Sequence, residues 1–296
     1  MIHQLRKIYS SLLLYTDGFD DSNHKYRWFM TEENEIIGIH EEELTAKDIA
    51  ILTTFLSPYN IKFPIPTDEE KKWRNIIHAT ESNANVAFEL NHPYRFVYFS
   101  LENNQIDPVL FRDAIHELFA KPVPILWLNG HEGIIIEEKI VYDESILFEQ
   151  IIDVLMSDLY VKINFFVGHY KKGFEGIAQY YQSSINDAKM IFSYSSKRVV
   201  TYIDAVPYLL LDQTEPDLRA RIGKTILQEY INDEETLSMI ETFLQCNLNI
   251  SETSKVLHMH RNSLQYRLDR FFEKTGIDIR SFHHAMTVYI ALLAMK

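Results

Sequence analysis

Cysteine is almost absent from this chain of 296 residues. Its single thiol, Cys246, excludes a disulfide framework and any paired-cysteine zinc or redox motif, and it suits a reducing compartment. Glycine is scarce as well, with nine residues. Neither GxGxxG nor GxxxxGK[ST] occurs, so a glycine-built phosphate loop is excluded. No run approaches the ~18 apolar residues of a membrane span. The apolar run Leu12–Tyr15 is too short for a secretion signal, and acidic residues follow it at once. These absences predict a cytoplasmic protein without a membrane partner. Basic charge is also the minority: 29 Lys and Arg against 42 Asp and Glu give a net charge of −13. Taken whole, that balance argues against nucleic-acid binding, which needs local positive charge; what decides is where the charges sit.

What is present is an ordinary globular composition, 46% hydrophobic and 24% charged. Three regions stand out, and the fold class expected is α+β. Residues 1–80 form an N-terminal α/β module. It holds a helical start, a hairpin in YRWFMTEENEIIGIHE with its turn at Glu32–Asn34, and a helix in LTAKDIAILTTFL. Thr45 can cap that helix, and Ile49, Leu52, Phe55 and Leu56 share one face. SPYNIKFPIPTDEE, with three of the nine prolines, reads as a linker or extended crossing. Residues 85–211 alternate strands (94–101, two joined around Asn129–Gly133, KINFFVGHY, 198–204) with helices (107–120, 145–160, 175–193). The order β-α-β-β-α-β, then α-β, suggests a ferredoxin-like sheet with helices on one face. After DQTEPD, residues 215–296 read as all-helical.

The informative stretch is NISETSKVLHMHRNSLQYRLDRFFEKTGIDIRSF. Ser251 can cap a short helix running to about Leu257, and His258-Met259-His260 is a turn-length break. A second helix starts near Asn262, which can accept a bond from a free N–H of its first turn. Leu264, Leu268, Phe271 and Phe272 form its buried face, and Gly276 fits its C-terminal cap. Before them, Leu237, Ile240 and Leu244 place one apolar face on a supporting helix over 234–245. This is a helix-turn-helix pattern, whose second helix enters the major groove N-terminus first. Arginine suits guanine, asparagine or glutamine suits adenine, and Ser263 and Tyr266 suit phosphate oxygens. Residues 251–296 hold seven Lys and Arg (255, 261, 267, 270, 274, 280, 296) and four Asp and Glu (252, 269, 273, 278), a surplus of +3, so the other 250 residues carry −16. The usual turn glycine is missing, with His258 near its place. A plain helical hairpin with solvated arginines fits the same periodicity.

The stretch from Leu218 to Leu293 resembles the C-terminal domain of PucR/CdaR-type bacterial transcription regulators. Carrying the resemblance are Thr236-Leu237, Phe243-Leu244, Asn249, Ser254, the run Leu257 to Leu268 with its HRNSLQYRL core, Thr275 to Asp278, and Ala291 to Leu293. Ser254 and Ser263 depart mildly from the common alanine and threonine, and His283 and His284 stand where an arginine is frequent. INFFVGHYKKGFEGIAQYYQSSINDAKMIF with VVTYIDAVPYLLL resembles the degenerate GGDEF-like domain that often precedes this one. Asn129-Gly130-His131-Glu132-Gly133 replaces the cyclase motif, and the strand 94–101 lacks the metal-binding aspartate. The resemblance therefore implies a fold without the enzyme chemistry, and function must be argued from the site.

The expected DNA-binding set is His260, Arg261, Asn262, Ser263, Gln265, Tyr266, Arg267 and Arg270, with Ser251 and Thr253. No catalytic residue, cofactor or metal is expected. His116-Glu117-Leu118-Phe119-Ala120 begins like HExxH but lacks the second histidine. The acidic runs at 41–43 and 68–70 read as helix starts or solvated charge. Tyr26, Trp28, Phe29 and Trp73 read as core or as an effector pocket. The function expected is transcription regulation by a homodimer on double-stranded DNA, with a sensory part that takes a small-molecule effector. A ligand- or protein-binding module with a helical assembly tail is the alternative.

Overall fold

A computed structural model of the chain describes residues 1–15, 25–31, 35–59, 63–64, 66–78, 92–102, 106–139 and 147–295. It divides into two compact units, Met1–Ala188 with Lys197–Thr201, and Lys189–Ser196 with Tyr202–Lys296.

The first unit opens with α1 (Ile2–Leu5), β1 (Leu13–Leu14), β2 (Tyr26–Met30), β3 (Ile36–His40), α2 (Ala46–Leu52), β4 (Ser57–Tyr59) and α3 (Asp68–His78). The strands form an antiparallel sheet in the order β1-β3-β2-β4. The expected hairpin is the β2–β3 pair, with Phe29 opposite Ile37; its turn at Glu32–Asn34 lies outside the described residues. Strand alternation splits the aromatic cluster predicted from the sequence. Phe29 joins Leu5, Ile37, Leu52 and Leu56 in one core, while Trp28 packs edge-on against Tyr15 at 5.3 Å. Trp73 lies elsewhere, 4.9 Å from the Tyr94 ring. The four residues do not share a pocket. Trp28 lies over Gly38, where an added Cβ would meet its ring at 2.7 Å. Gly38→Ala should therefore cost about 1–3 kcal/mol through overpacking, read as a lower thermal midpoint. An unchanged midpoint would show that the indole yields freely.

Thr45 caps α2 in a reciprocal box with Asp48. Leu52 and Leu56 are buried as expected, but Phe55 is 38% exposed. The helix stops at Leu52, so the chain beyond it no longer keeps the helical period. The acidic run 68–70 opens α3. There Glu70 accepts the Thr67 N–H at 2.8 Å while the Thr67 hydroxyl accepts the Glu70 N–H at 3.2 Å. In the run 41–43, Glu43 accepts the Ser10 and Ser11 hydroxyls, which hold its carboxyl down at about 2.

The rest of this unit runs β5 (Tyr94–Leu101), α4 (Pro108–Leu118), β6 (Ile125–Asn129), β7 (Glu132–Glu138), α5 (Phe148–Leu159), β8 (Ile163–Val167), α6 (Ile177–Tyr194) and β9 (Val199–Thr201). The sheet order is β6-β7-β5-β8-β9, antiparallel except for the parallel β8–β9 pair. Helices on one face only were expected, and both faces are in fact covered. Val97 and Phe99 pack with Phe111 and Ile115 of α4 and Phe148 and Leu155 of α5. Phe96 on the opposite face stacks on Tyr180 of α6 at 4.8 Å and meets Trp73 of α3 at 6.4 Å. The strand YRFVYFSL carries the reason: its near-continuous apolar run is that of a strand buried on two sides. Arg95, beside this core, forms a two-pronged pair with Glu137 at 2.7 and 3.0 Å, and the Tyr170 hydroxyl donates to the same carboxylate. The last strand was expected over 198–204. It ends at Thr201 because the chain turns directly into helix.

The second unit is helical beyond that point: α7 (Tyr202–Asp212), α8 (Pro216–Leu227), α9 (Glu234–Gln245), α10 (Ile250–Val256), α11 (Arg261–Thr275) and α12 (Phe282–Leu293). Leu227, Ile240, Phe243, Leu264, Leu268, Phe271 and Val288 meet in its core. No helix among the described residues is long and apolar enough to cross a membrane.

Candidate nucleic-acid interface

α9, α10 and α11 reproduce the supporting helix, short helix and longer helix expected from the sequence, and the details sit in their ends. Asp233 caps α9. Its carboxylate accepts the Thr236 hydroxyl at 2.7 Å and the Thr236 N–H at 3.1 Å, and these bonds hold it below the usual carboxylate range. Cys246 closes the same helix, half-buried. The cap of α10 is Asn249 rather than Ser251: its Oδ1 accepts the N–H groups of Ser251 at 3.0 Å and Glu252 at 3.1 Å. Both residue types make good caps and they lie two positions apart, so pattern alone could not choose between them.

The turn between α10 and α11 rests on His258, whose φ is +49°. The Met259 N–H reaches back to the Ser254 carbonyl at 2.8 Å, closing the helix end. This left-handed position is where a glycine would sit without strain. An L-residue there costs roughly 1–2 kcal/mol, partly offset by the greater freedom glycine has when unfolded. His258→Gly should thus raise stability by about 0.5–1 kcal/mol, seen as a higher urea midpoint at unchanged slope. A lower midpoint would show that the imidazole makes a contact worth more than the strain.

α11 begins at Arg261, one residue before the expected start. Its cap is His260, whose Nδ1 accepts the Asn262 N–H at 3.3 Å. Asn262 is therefore the second residue of the helix, not its cap, and its amide side chain stays exposed. Accepting at Nδ1 leaves Nε2 of His260 as the N–H donor. Gly276 ends the helix with φ +73°, as expected. Leu264, Leu268 and Phe271 are buried, but Phe272 is 42% exposed and does not belong to the buried face. At 100° per residue it stands well off the line through the other three.

The same arithmetic sorts the expected DNA-binding set. Asn262 and Tyr266, one turn apart, lie opposite the buried line, and Tyr266 is 66% exposed. Arg261 and Gln265 occupy one flank, and Ser263, Arg267 and Arg270 the other. All are exposed except Arg267, which is half-buried. Ser251 is exposed at the start of α10. Thr253 departs from the set: it is fully buried, and its hydroxyl donates to the Asn249 carbonyl at 2.7 Å. It stabilises the start of α10 and has no surface to offer a phosphate.

An open groove of about 840 Å³ runs beside α11. Asn262, Ser263, Tyr266, Arg267 and Arg270 form one wall, and Tyr230, Asp233, Glu235 and Thr236 the other. That this second wall is acidic was not expected from the sequence. Arg267 is ion-paired with Glu235 across the groove. Lys274 lies 3.7 Å from Glu229. Arg280 bonds Asp269 at 2.6 Å and Asp278 at 2.7 Å, and it holds the Asp278 carboxyl below its ordinary value. Among the described residues, Lys255, Arg261 and Arg270 are the cations of residues 251–295 that remain outside any ion pair. The histidines of α12 divide: His284 accepts the Asp278 N–H at 3.1 Å through Nδ1, and His283 is exposed. His116, the start of the incomplete HExxH, sits 3.0 Å from the Val123 carbonyl and ties down the end of α4.

Comparison with known proteins meets this geometry at the same residues. Residues 236–294 match the family model of the PucR C-terminal helix-turn-helix domain. Over 283 residues the chain is 29% identical to YxkF of Bacillus subtilis, an uncharacterised protein, covering 93% of this chain and 89% of that one. It is 32% identical over 98 residues to the carbohydrate diacid regulator of Escherichia coli, and 27% identical over 107 residues to the DNA-binding transcriptional activator AdeR of Bacillus subtilis. Those two alignments cover 32% and 35% of this chain but only 26% and 24% of the two regulators. The sequence matches to these two regulators are thus confined to about a third of the chain.

Proposed function

We propose that this DNA-binding transcriptional regulator, which carries a PucR-type helix-turn-helix over residues 236–294, reads a specific operator as a homodimer. The observation that carries the reading is the N-terminal half of α11. After a tight turn it presents Arg261, Asn262, Gln265 and Tyr266 outward from a rigid apolar seat, on the helix that enters the groove in such motifs. One helix of this size covers a half-site, so two copies on a repeated or palindromic site are needed for useful affinity. Residues 1–80 and 85–211 are the sensory and dimerising parts in this reading, and residues 215–296 the DNA-binding part. The order β6-β7-β5-β8-β9 supports a ferredoxin-like, GGDEF-like middle domain, in which Asn129–Gly133 lies where a cyclase would carry its motif. We read that domain as non-enzymatic and the protein as cytoplasmic.

Genome-wide mapping of binding sites, followed by gel shifts on the enriched sequences, tests the reading. The expected result is binding to a two-fold or repeated site that weakens as salt rises. Absence of any preferred sequence at moderate salt, with and without cell extract as a source of effector, would overturn it. Incubation with GTP and Mg²⁺ should yield no cyclic dinucleotide.

A further inference from the structure

We propose that α7 of one copy of this chain docks in the cleft between α8 and α12 of a second copy, and that two such contacts, related by a two-fold axis, form the homodimer. The first half of the contact is the outward side of α7. Ile203, Val206 and Leu210 stand at i, i+3 and i+7, so they form one line along that helix. Ile203 is 83% exposed and Leu210 67%. Ala205 and Leu211 are buried on the inward side. The helix is thus apolar both inward and outward, a pattern that belongs in a buried setting. An exposed apolar ridge of this kind marks an interaction surface.

The second half is the cleft. Gly223 lets α8 lie close against α12, where an added Cβ would clash with Met295. Beside that crossing is an open cleft of about 530 Å³, lined by Arg221, Ile222, Thr225, Ile226, Thr287 and Ile290. Three isoleucines make it apolar, and Arg221 is its one charged residue. A helix with anchors at i, i+3 and i+7 is what such a cleft accepts. Charge names the occupant. The charged residues of α7 are Asp204 and Asp212, both acidic, whereas α8 carries Arg219, Arg221 and Lys224 against Asp217. Among the described residues, none of those three cations is in an ion pair. Pairing α7 with α7 would bring an acidic helix to an acidic helix; pairing α7 with α8 brings acid to base. In a chain of net charge −13, that complementarity favours the second arrangement, and ridge and cleft belong to the same chain. One short helix makes a small contact. A two-fold axis makes it twice, which brings the pair toward the roughly 1,200 Å² at which specific interfaces begin. None of these residues lies on α11, so the interface shares no residue with the DNA-reading helix.

This interface rests on the homodimer of the reading above and gives it a location. Sedimentation equilibrium of the full chain tests it. The wild type should dimerise reversibly. Leu210→Glu and Ile203→Glu, at exposed positions of the ridge, should each weaken the dimer at least tenfold with the folded circular-dichroism spectrum unchanged. Thr225→Trp, at an exposed position lining the cleft, should do the same by filling it. Mixing Leu210→Glu with Thr225→Trp should restore part of the association, because one intact ridge then meets one intact cleft. A wild type that stays monomeric at its highest soluble concentration would overturn the interface. So would a dimer that either the ridge variants or the cleft variant leaves undiminished, or a mixture no tighter than each variant alone. If dimerisation and operator binding both survive all three variants, the interface falls and the regulator reading stands. If the variants dissociate the dimer as expected but the wild type prefers no DNA sequence, the regulator reading falls and the interface stands.

Discussion

Replacing Phe271 with alanine lowers the stability of the helical unit by about 3–5 kcal/mol, the range for emptying a fully buried aromatic position. Phe271 has no exposed surface and packs beside Leu264 and Leu268, with its ring 5.1 Å from that of Tyr230. It is the residue through which the second half of α11 is pressed onto the core shared with Ile240 and Phe243 of α9. The cavity left behind cannot be filled by Phe272, which lies one residue on and faces solvent. Phe272→Ala should therefore cost well under 1 kcal/mol, within the usual range for exposed substitutions (about ±0.5 kcal/mol). Calorimetric unfolding of the two variants checks the pair. Similar losses in both would mean that α11 is rotated about its axis relative to the arrangement described, and would reassign its outward face as well.

That contrast also shows how far the sequence could be read. Leu264, Leu268 and Phe271 follow a strict helical repeat, and so they were legible. Phe272 was not separable from Phe271 by hydrophobicity, because an apolar residue adjacent to a stripe looks like part of it. Caps were half legible. Thr45, with Asp48 three residues later, is a recognisable box, and Gly276 is a recognisable stop. His260 acts as a cap although histidine is not among the favoured cap residues. Asn249 competes with Ser251 on equal terms. The αL positions at Asn247 and Leu248 left no mark, since neither is glycine; His258 was marked by standing near the place of the usual turn glycine. The strands of the second sheet were found because each is a compact apolar run bounded by turn residues. That both faces of the sheet are covered could have been inferred from β5, whose run of apolar residues has no alternation. The aromatic cluster failed because adjacent strand residues point to opposite faces. Trp28 and Phe29 cannot line one pocket. Trp73 instead meets the ring of Tyr94, which is remote from it in sequence. The acidic wall of the groove was invisible for the same reason: Glu235 meets Arg267 across 32 residues of chain.

That ion pair gives the second large effect, and its sign differs for the two partners. Arg267→Ala should weaken operator binding by about 1–3 kcal/mol if the side chain reaches a base, or reduce the slope of log affinity against log salt by about one if it reaches a phosphate. Glu235→Gln should do the opposite. In the free protein the carboxylate of Glu235, itself largely exposed, competes with DNA for the same guanidinium. Removing it frees Arg267 and takes a negative charge away from the approaching backbone. An exposed pair is worth at most about 1 kcal/mol, so the gain should be no more than about fivefold in affinity. Neither change should lower folding stability by more than that same amount, which separates a binding role from a structural one. The double variant completes the cycle: with Arg267 gone, the part of the Glu235→Gln gain that came from freeing the guanidinium vanishes, and only the part due to general charge remains. Gel-shift titrations at three salt concentrations resolve the terms. If Arg267→Ala leaves affinity and salt slope untouched while lowering the thermal midpoint, Arg267 is a pin between α9 and α11, and operator contacts fall to Arg261, Asn262, Gln265, Tyr266 and Arg270.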